Sequence, residues 1–158
     1  MELSLPDEAA MQRFGTALAR SLPDLRRANL LLALQGDLGT GKTTLARSLL
    51  RALGVEGAVR SPTFTLVEPY ETTAGTVHHL DLYRLRGEPA ELDALGYRDI
   101  RGLPGLVIVE WPERAAAALG DADLQVLIEH QPAGRRVRVS AATAAGQAWQ
   151  GALRDERI

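Results

Sequence analysis

The chain has no cysteine, a single lysine, a single asparagine and only 4% aromatic residues. Each shortage excludes something. Without cysteine there is no disulfide, no thiol nucleophile and no Cys-ligated zinc, a composition at ease in a reducing cytosol. Few aromatics imply an aliphatic core of Leu, Val and Ala. No apolar run approaches the roughly 18 uncharged residues of a membrane-spanning helix. The first residues, Met1 to Glu8, show no basic segment leading into an apolar one, so no signal peptide is expected and the expected location is cytoplasmic. The net charge of -2 argues against a general nucleic-acid binder driven by counterion release. Arg135, Arg136 and Arg138 form the densest basic cluster and read as a solvated hairpin.

What is present is one domain, residues 1–158, with 46% hydrophobic residues, enough to bury a core. The one lysine, Lys42, stands in Gly36-Asp37-Leu38-Gly39-Thr40-Gly41-Lys42-Thr43, a full match to the Gly-x-x-x-x-Gly-Lys-[Ser/Thr] phosphate loop. Every other basic residue is arginine, so lysine is used where a compact charge on a flexible stem can lie along a phosphate chain. The loop follows a continuous apolar run, Asn29 to Gln35, which reads as a strand buried on both faces. From Lys42 to Leu53 the pattern is helical, with Gly54 as its stop.

The remaining elements follow from periodicity and turn residues. Leu3 to Leu5 predicts a short edge strand, and Pro6-Asp7-Glu8 opens a helix burying Met11, Phe14, Leu18 and Leu22. Phe64 to Tyr70 and Thr76 to Leu85 predict a hairpin, and Glu88 to Leu95 a short helix closed by Gly96. Gly105 to Glu110 is a second buried strand that ends on an acid. Strands at Leu124 to His130 and Arg135 to Ala141 meet at a Pro132-Ala133-Gly134 turn, before an Ala-rich helix. The fold class is α/β: a three-layer, P-loop NTPase-like fold with a mostly parallel central sheet and an antiparallel hairpin addition.

Such a loop binds a nucleoside triphosphate when its backbone N–H groups and lysine meet the phosphates and its threonine meets Mg²⁺. An acid at the end of a neighbouring strand completes the metal site, and Glu110 is the candidate. The alternation in His79-Leu80-Asp81-Leu82-Tyr83 puts His79, Asp81 and Tyr83 on one strand face, either inert in solvent or turned to the γ-phosphate. Ser61-Pro62-Thr63-Phe64-Thr65 is either a plain turn or a segment that senses the γ-phosphate. Trp111 either packs in the core or screens the nucleotide. Guanine selectivity normally uses Asn-Lys-x-Asp, which a chain with only Lys42 and Asn29 cannot supply, so ATP is the expected nucleotide.

Four blocks in order resemble the bacterial TsaE (YjeE) ATPases of tRNA threonylcarbamoyladenosine modification: the stretch from Gly36 to Thr44, Ser61 to Tyr70, His79 to Leu85, and Val109 to Glu113. The resemblance implies an ATPase acting with TsaB and TsaD proteins, of which TsaD transfers the threonylcarbamoyl group to the adenosine beside the anticodon. On that resemblance Lys42, Asp81 and Glu110 are catalytic, and Thr43 and Glu110 hold Mg²⁺. Nucleotide contacts fall to Glu8, Leu38, Gly39, Thr40, Gly41, Lys42, Thr43, Thr44, Trp111 and Arg135. Contact with tRNA would be indirect, and hydrolysis slow without the partners. Thr40 departs from the alanine commonest in this loop. The alternatives are a small-molecule or nucleoside kinase, with Arg84-Leu85-Arg86 as a thin candidate lid, and a nucleotide-gated binding module.

Overall fold

A computed structural model describes all 158 residues. Seven strands form one sheet: β1 (Glu2–Leu5), β2 (Asn29–Gln35), β3 (Val67–Thr72), β4 (Gly75–Asp81), β5 (Gly105–Glu110), β6 (Leu124–His130) and β7 (Arg135–Ala141). Their spatial order is β1-β7-β6-β2-β5-β4-β3. The four inner strands β6, β2, β5 and β4 run parallel; β3 at one edge and β7 towards the other oppose them, and β1, antiparallel to β7, runs with the centre again. Two hairpins therefore flank the parallel centre, each lending it one strand. The mostly parallel centre is as expected, and the late strands expected to meet at the Pro132-Ala133-Gly134 turn form the second of these hairpins.

Helices cover both faces. On one side α1 (Glu8–Arg20), α2 (Lys42–Ala52) and α6 (Ala144–Arg154) pack on Leu30, Leu32, Leu34, Ile108 and Val126. On the other, the short helices α3 (Pro89–Ala94), α4 (Tyr97–Arg101) and α5 (Ala116–Leu119) cover Leu31, Val107 and Val109 through Leu92, Tyr97 and Leu119. Alternate residues of β2 and β5 thus enter different cores, which is why both strands read as unbroken apolar runs. Helix α1 starts where Asp7 accepts the Ala10 N–H at 2.7 Å, and it buries Met11, Phe14 and Leu18 as the spacing predicts. Leu22 lies beyond its end and is half-buried.

The β3–β4 hairpin is shorter than the sequence suggests. Residues 63–65 form a turn closed by the Leu66 N–H on the Pro62 carbonyl at 2.7 Å, and Leu66 sits at φ 64°, so β3 begins only at Val67. At the other end the Tyr83 N–H donates to Asp81 Oδ1 at 3.0 Å, and this local turn takes the chain out of the ladder. Tyr83 is therefore off the strand and does not share a face with His79 and Asp81. Helix α4, and the tight turn Pro112–Ala115 that leads into α5, were not legible from the pattern; Gly96 at φ 75° ends one short helix only to begin the next. No helix is long and apolar enough to cross a membrane.

Candidate functional site

In parallel register Leu34 of β2 lies beside Glu110 of β5, and Glu110 beside Asp81 of β4. The carboxyl ends of three adjacent strands thus deliver the glycine loop and two acids to one place, the usual position for a ligand in an open α/β sheet. Gly36 leaves β2 at φ 143°, where a Cβ would stand 2.3 Å from the Ile128 carbonyl oxygen, so the chain needs glycine to turn there. Gly41, at φ 110°, caps α2 with no side-chain partner, and the first turn of α2 contains no acid. Its N–H groups and the positive end of the helix are left open to an anion.

Lys42 is buried at the root of this loop. Its Nζ donates to the carbonyls of Gly36 at 2.6 Å and Asp37 at 2.9 Å, and lies 3.9 Å from the centre of the Trp111 ring. Burial pushes its pKa below the ordinary amine value, while Glu110, Glu113, Asp81 and Asp37 oppose the shift by attracting the ammonium. Trp111 packs against the second core and also covers the lysine. It sits at φ 59° straight after β5, half-buried, with its ring over the lysine and 4.9 Å from the ring of Tyr83.

The two acids have different partners. The Thr43 hydroxyl donates to Glu110 Oε2 at 3.0 Å, and His79 Nε2 lies 2.8 Å from Glu110 Oε1. Asp81 Oδ2 accepts the Ser61 hydroxyl at 2.5 Å and, more weakly, that of Thr63 at 3.5 Å. Asp81 therefore tethers the Ser61-to-Thr65 segment, whose Phe64 side chain projects into solvent at 84% exposure. Leu38, Gly39, Gly41, Thr43 and Thr44 join Lys42, Asp81, Glu110 and Trp111 around a cavity of about 390 Å³. Neither Arg84 nor Arg86 lines it; Arg84 stacks over Phe64 at 4.5 Å instead of forming a lid.

Glu8, Thr40 and Arg135 fall on the other side of the loop. With Gly39, Gly41, Thr44 and Met11 they border a second cavity of about 300 Å³. Arg135 spends its donors on backbone: Nε on the Thr40 carbonyl at 3.0 Å and Nη2 on that of Gly39 at 3.1 Å. The Thr40 side chain is buried, its hydroxyl on the Asp37 carbonyl at 2.9 Å. Sequence reasoning weighed His79 only as part of a polar strand face, and paired neither His79 with Glu110 nor Ser61 with Asp81. The signal for His79 was a polar residue two before Asp81 on the same strand face; the Ser61 contact joins a loop to a strand 20 residues away and left no local trace.

Fold and site together define an α/β protein whose central parallel strand feeds a glycine loop and helix N-terminus, faced by carboxylates from the next two strands. Residues 5–138 match the family model described as "Threonylcarbamoyl adenosine biosynthesis protein TsaE". The chain belongs to the TsaE family. It is 40% identical to the Haemophilus influenzae protein called "tRNA threonylcarbamoyladenosine biosynthesis protein TsaE", over 90% of both chains. It is 44% identical to the Synechocystis protein of the same name, over 72% of this chain and 71% of that one. The crystal structure of Bacillus subtilis YdiB superposes with a TM-score of 0.76 over 98% of this chain and 93% of the other, at 24% identity, and so shares its fold.

Proposed function

We propose that this chain is a cytoplasmic P-loop ATPase: it binds ATP with Mg²⁺ and hydrolyses it in support of threonylcarbamoyl modification of the tRNA adenosine beside the anticodon, acting with a TsaB–TsaD complex. The observation that carries this reading is the Thr43 hydroxyl 3.0 Å from Glu110 Oε2, in the cavity that also holds Lys42 at the open end of α2. Family membership supplies the process, and the names carried by the relatives support it.

The donor set fits Mg²⁺. One hydroxyl and one carboxylate are hard oxygen ligands, and Mg²⁺ is commonly held by one or two protein oxygens with phosphate and water completing the shell. Bound there, Mg²⁺ would neutralise charge on the transferred phosphoryl group. The remaining work falls to the chain. The α2 N-terminus and the loop N–H groups hold the phosphates, and Lys42 exchanges its contacts with Gly36 and Asp37 for phosphate oxygens. Trp111 covers the lysine and keeps water from it. Asp81, at the level of Glu110 in the next strand, orients the attacking water or the Ser61 segment around it. The nucleoside lies beyond the loop, in the second cavity bordered by Glu8 and Arg135. No arginine lines the Lys42 cavity, so a cation supplied by a partner raises turnover as an arginine finger does; tRNA is contacted indirectly.

The test is phosphate release from ATP by the wild-type chain and Lys42→Ala, each alone and with TsaB, TsaD and tRNA. Slow release by the wild type alone, stimulated by the partners and abolished in the variant, is expected. Full turnover without any partner, or a phosphorylated small molecule in place of free phosphate, would overturn the reading.

A further inference from the structure

His79 has an environment that packing does not explain. Its side chain is wholly enclosed, beside Ile108, its register partner on β5, and on the same strand face as the buried Val77 two residues earlier. Nδ1 is buried with no hydrogen-bond partner. A polar nitrogen buried unpaired is unfavourable, and an apolar side chain of similar size would fill this space without that penalty. The one polar contact the ring makes is Nε2 to Glu110 Oε1 at 2.8 Å. An apolar wall thus carries a single directed donor, aimed at a single carboxylate.

That contact has a geometric consequence. With Oε1 held by His79, the plane of the Glu110 carboxyl group is set and Oε2 is the oxygen turned to Thr43. Carboxylates that ligate metals are commonly oriented this way by a hydrogen bond to their other oxygen, and losing the orienting group weakens metal binding without removing a ligand. We infer that His79 is the positioning residue of the metal site: its Nε2–H fixes Glu110 so that Oε2 and the Thr43 hydroxyl face the cation together. This inference rests on Thr43 and Glu110 being the Mg²⁺ ligands proposed above.

The experiment compares His79→Leu, His79→Asn and His79→Gln. Leucine fills the space without a donor, the asparagine amide reproduces the position of Nδ1, and the glutamine amide reaches towards that of Nε2. Mn²⁺ serves as the probe, its binding to the ADP-loaded protein followed by electron paramagnetic resonance of the free ion. ADP affinity in EDTA and the thermal midpoint are measured alongside. The Leu and Asn variants are expected to bind Mn²⁺ about tenfold more weakly or worse, with ADP affinity in EDTA unchanged, while the Gln variant recovers most of the loss. A folded Leu variant with wild-type Mn²⁺ affinity, or a folded Gln variant as weak as Asn, would overturn the inference. Should the Leu variant not fold, the Gln and Asn pair decides. The wild-type control separates the two readings: a wild-type chain that binds neither nucleotide nor Mn²⁺ removes the nucleotide site itself, whereas His79 variants indistinguishable from a metal-binding wild type remove only the role of His79.

Discussion

Asp81 and Glu110 are neighbours in register, both buried, and differ in what they hold. Glu110 is bound to Thr43 and His79, Asp81 to Ser61 and the backbone of Tyr83. Glu110→Gln keeps the shape and one acceptor but loses the charge that attracts a cation; it is expected to bind ADP and to lose turnover by on the order of 10²-fold or more. Asp81→Ala frees the Ser61 segment and leaves the loop and α2 intact, so ADP affinity should be unchanged while hydrolysis falls by on the order of 10²-fold. Calorimetric ADP titration with single-turnover phosphate release checks both, and a wild-type rate in either variant would reduce that acid to a structural role. Lys42, Thr43 and Glu110 were legible in the sequence because each stands in a short local pattern. His79 and Ser61 were not, since each takes its meaning from a partner brought by another element.

The loop between β2 and α2 works only if the backbone can fold back against β6. Gly36 is where that demand is sharpest, with both a positive φ and a contact to the Ile128 carbonyl that no Cβ would survive. Gly36→Ala is expected to destabilise the chain by about 3 kcal/mol, from overpacking and backbone strain together, and to displace the loop. Urea unfolding and nucleotide titration measure the two effects, and a midpoint equal to wild type would show that β6 yields. At this scale most of the fold was readable: β2, β5, β6 and β7 fall where periodicity and turn residues put them. The β3–β4 hairpin was misread by a few residues at its outer ends because Val, Thr, Phe and Tyr suit a strand even where a side-chain-to-backbone contact, as at Asp81, ends it. The short helices α4 and α5 are too brief to show a period.

Across the whole molecule the sheet depends on a few long-range ties. Asp123, buried at the start of β6, accepts the Leu31 N–H of β2 at 2.7 Å and the Thr143 hydroxyl at 2.5 Å. Thr143 in turn accepts the Gly146 N–H at 3.0 Å and caps α6. Trp149 on that helix donates to Leu18 and Ser21 at the end of α1. Asp123→Ala strands a buried N–H and loosens the α6 cap, which should cost about 2–3 kcal/mol; an unchanged urea midpoint would take Asp123 out of that role. By itself the sequence determined the α/β class, the loop that ends β2 and the acid that ends β5, because these rest on local patterns of apolar, glycine and charged residues. Only the tertiary structure decided that β4 lies beside β5, so that His79, Asp81 and Glu110 converge on one loop, and that Glu8 and Arg135 stand on that loop's far side. Strand order and register depend on which surfaces of the whole chain are buried together, and no short stretch of sequence contains that choice.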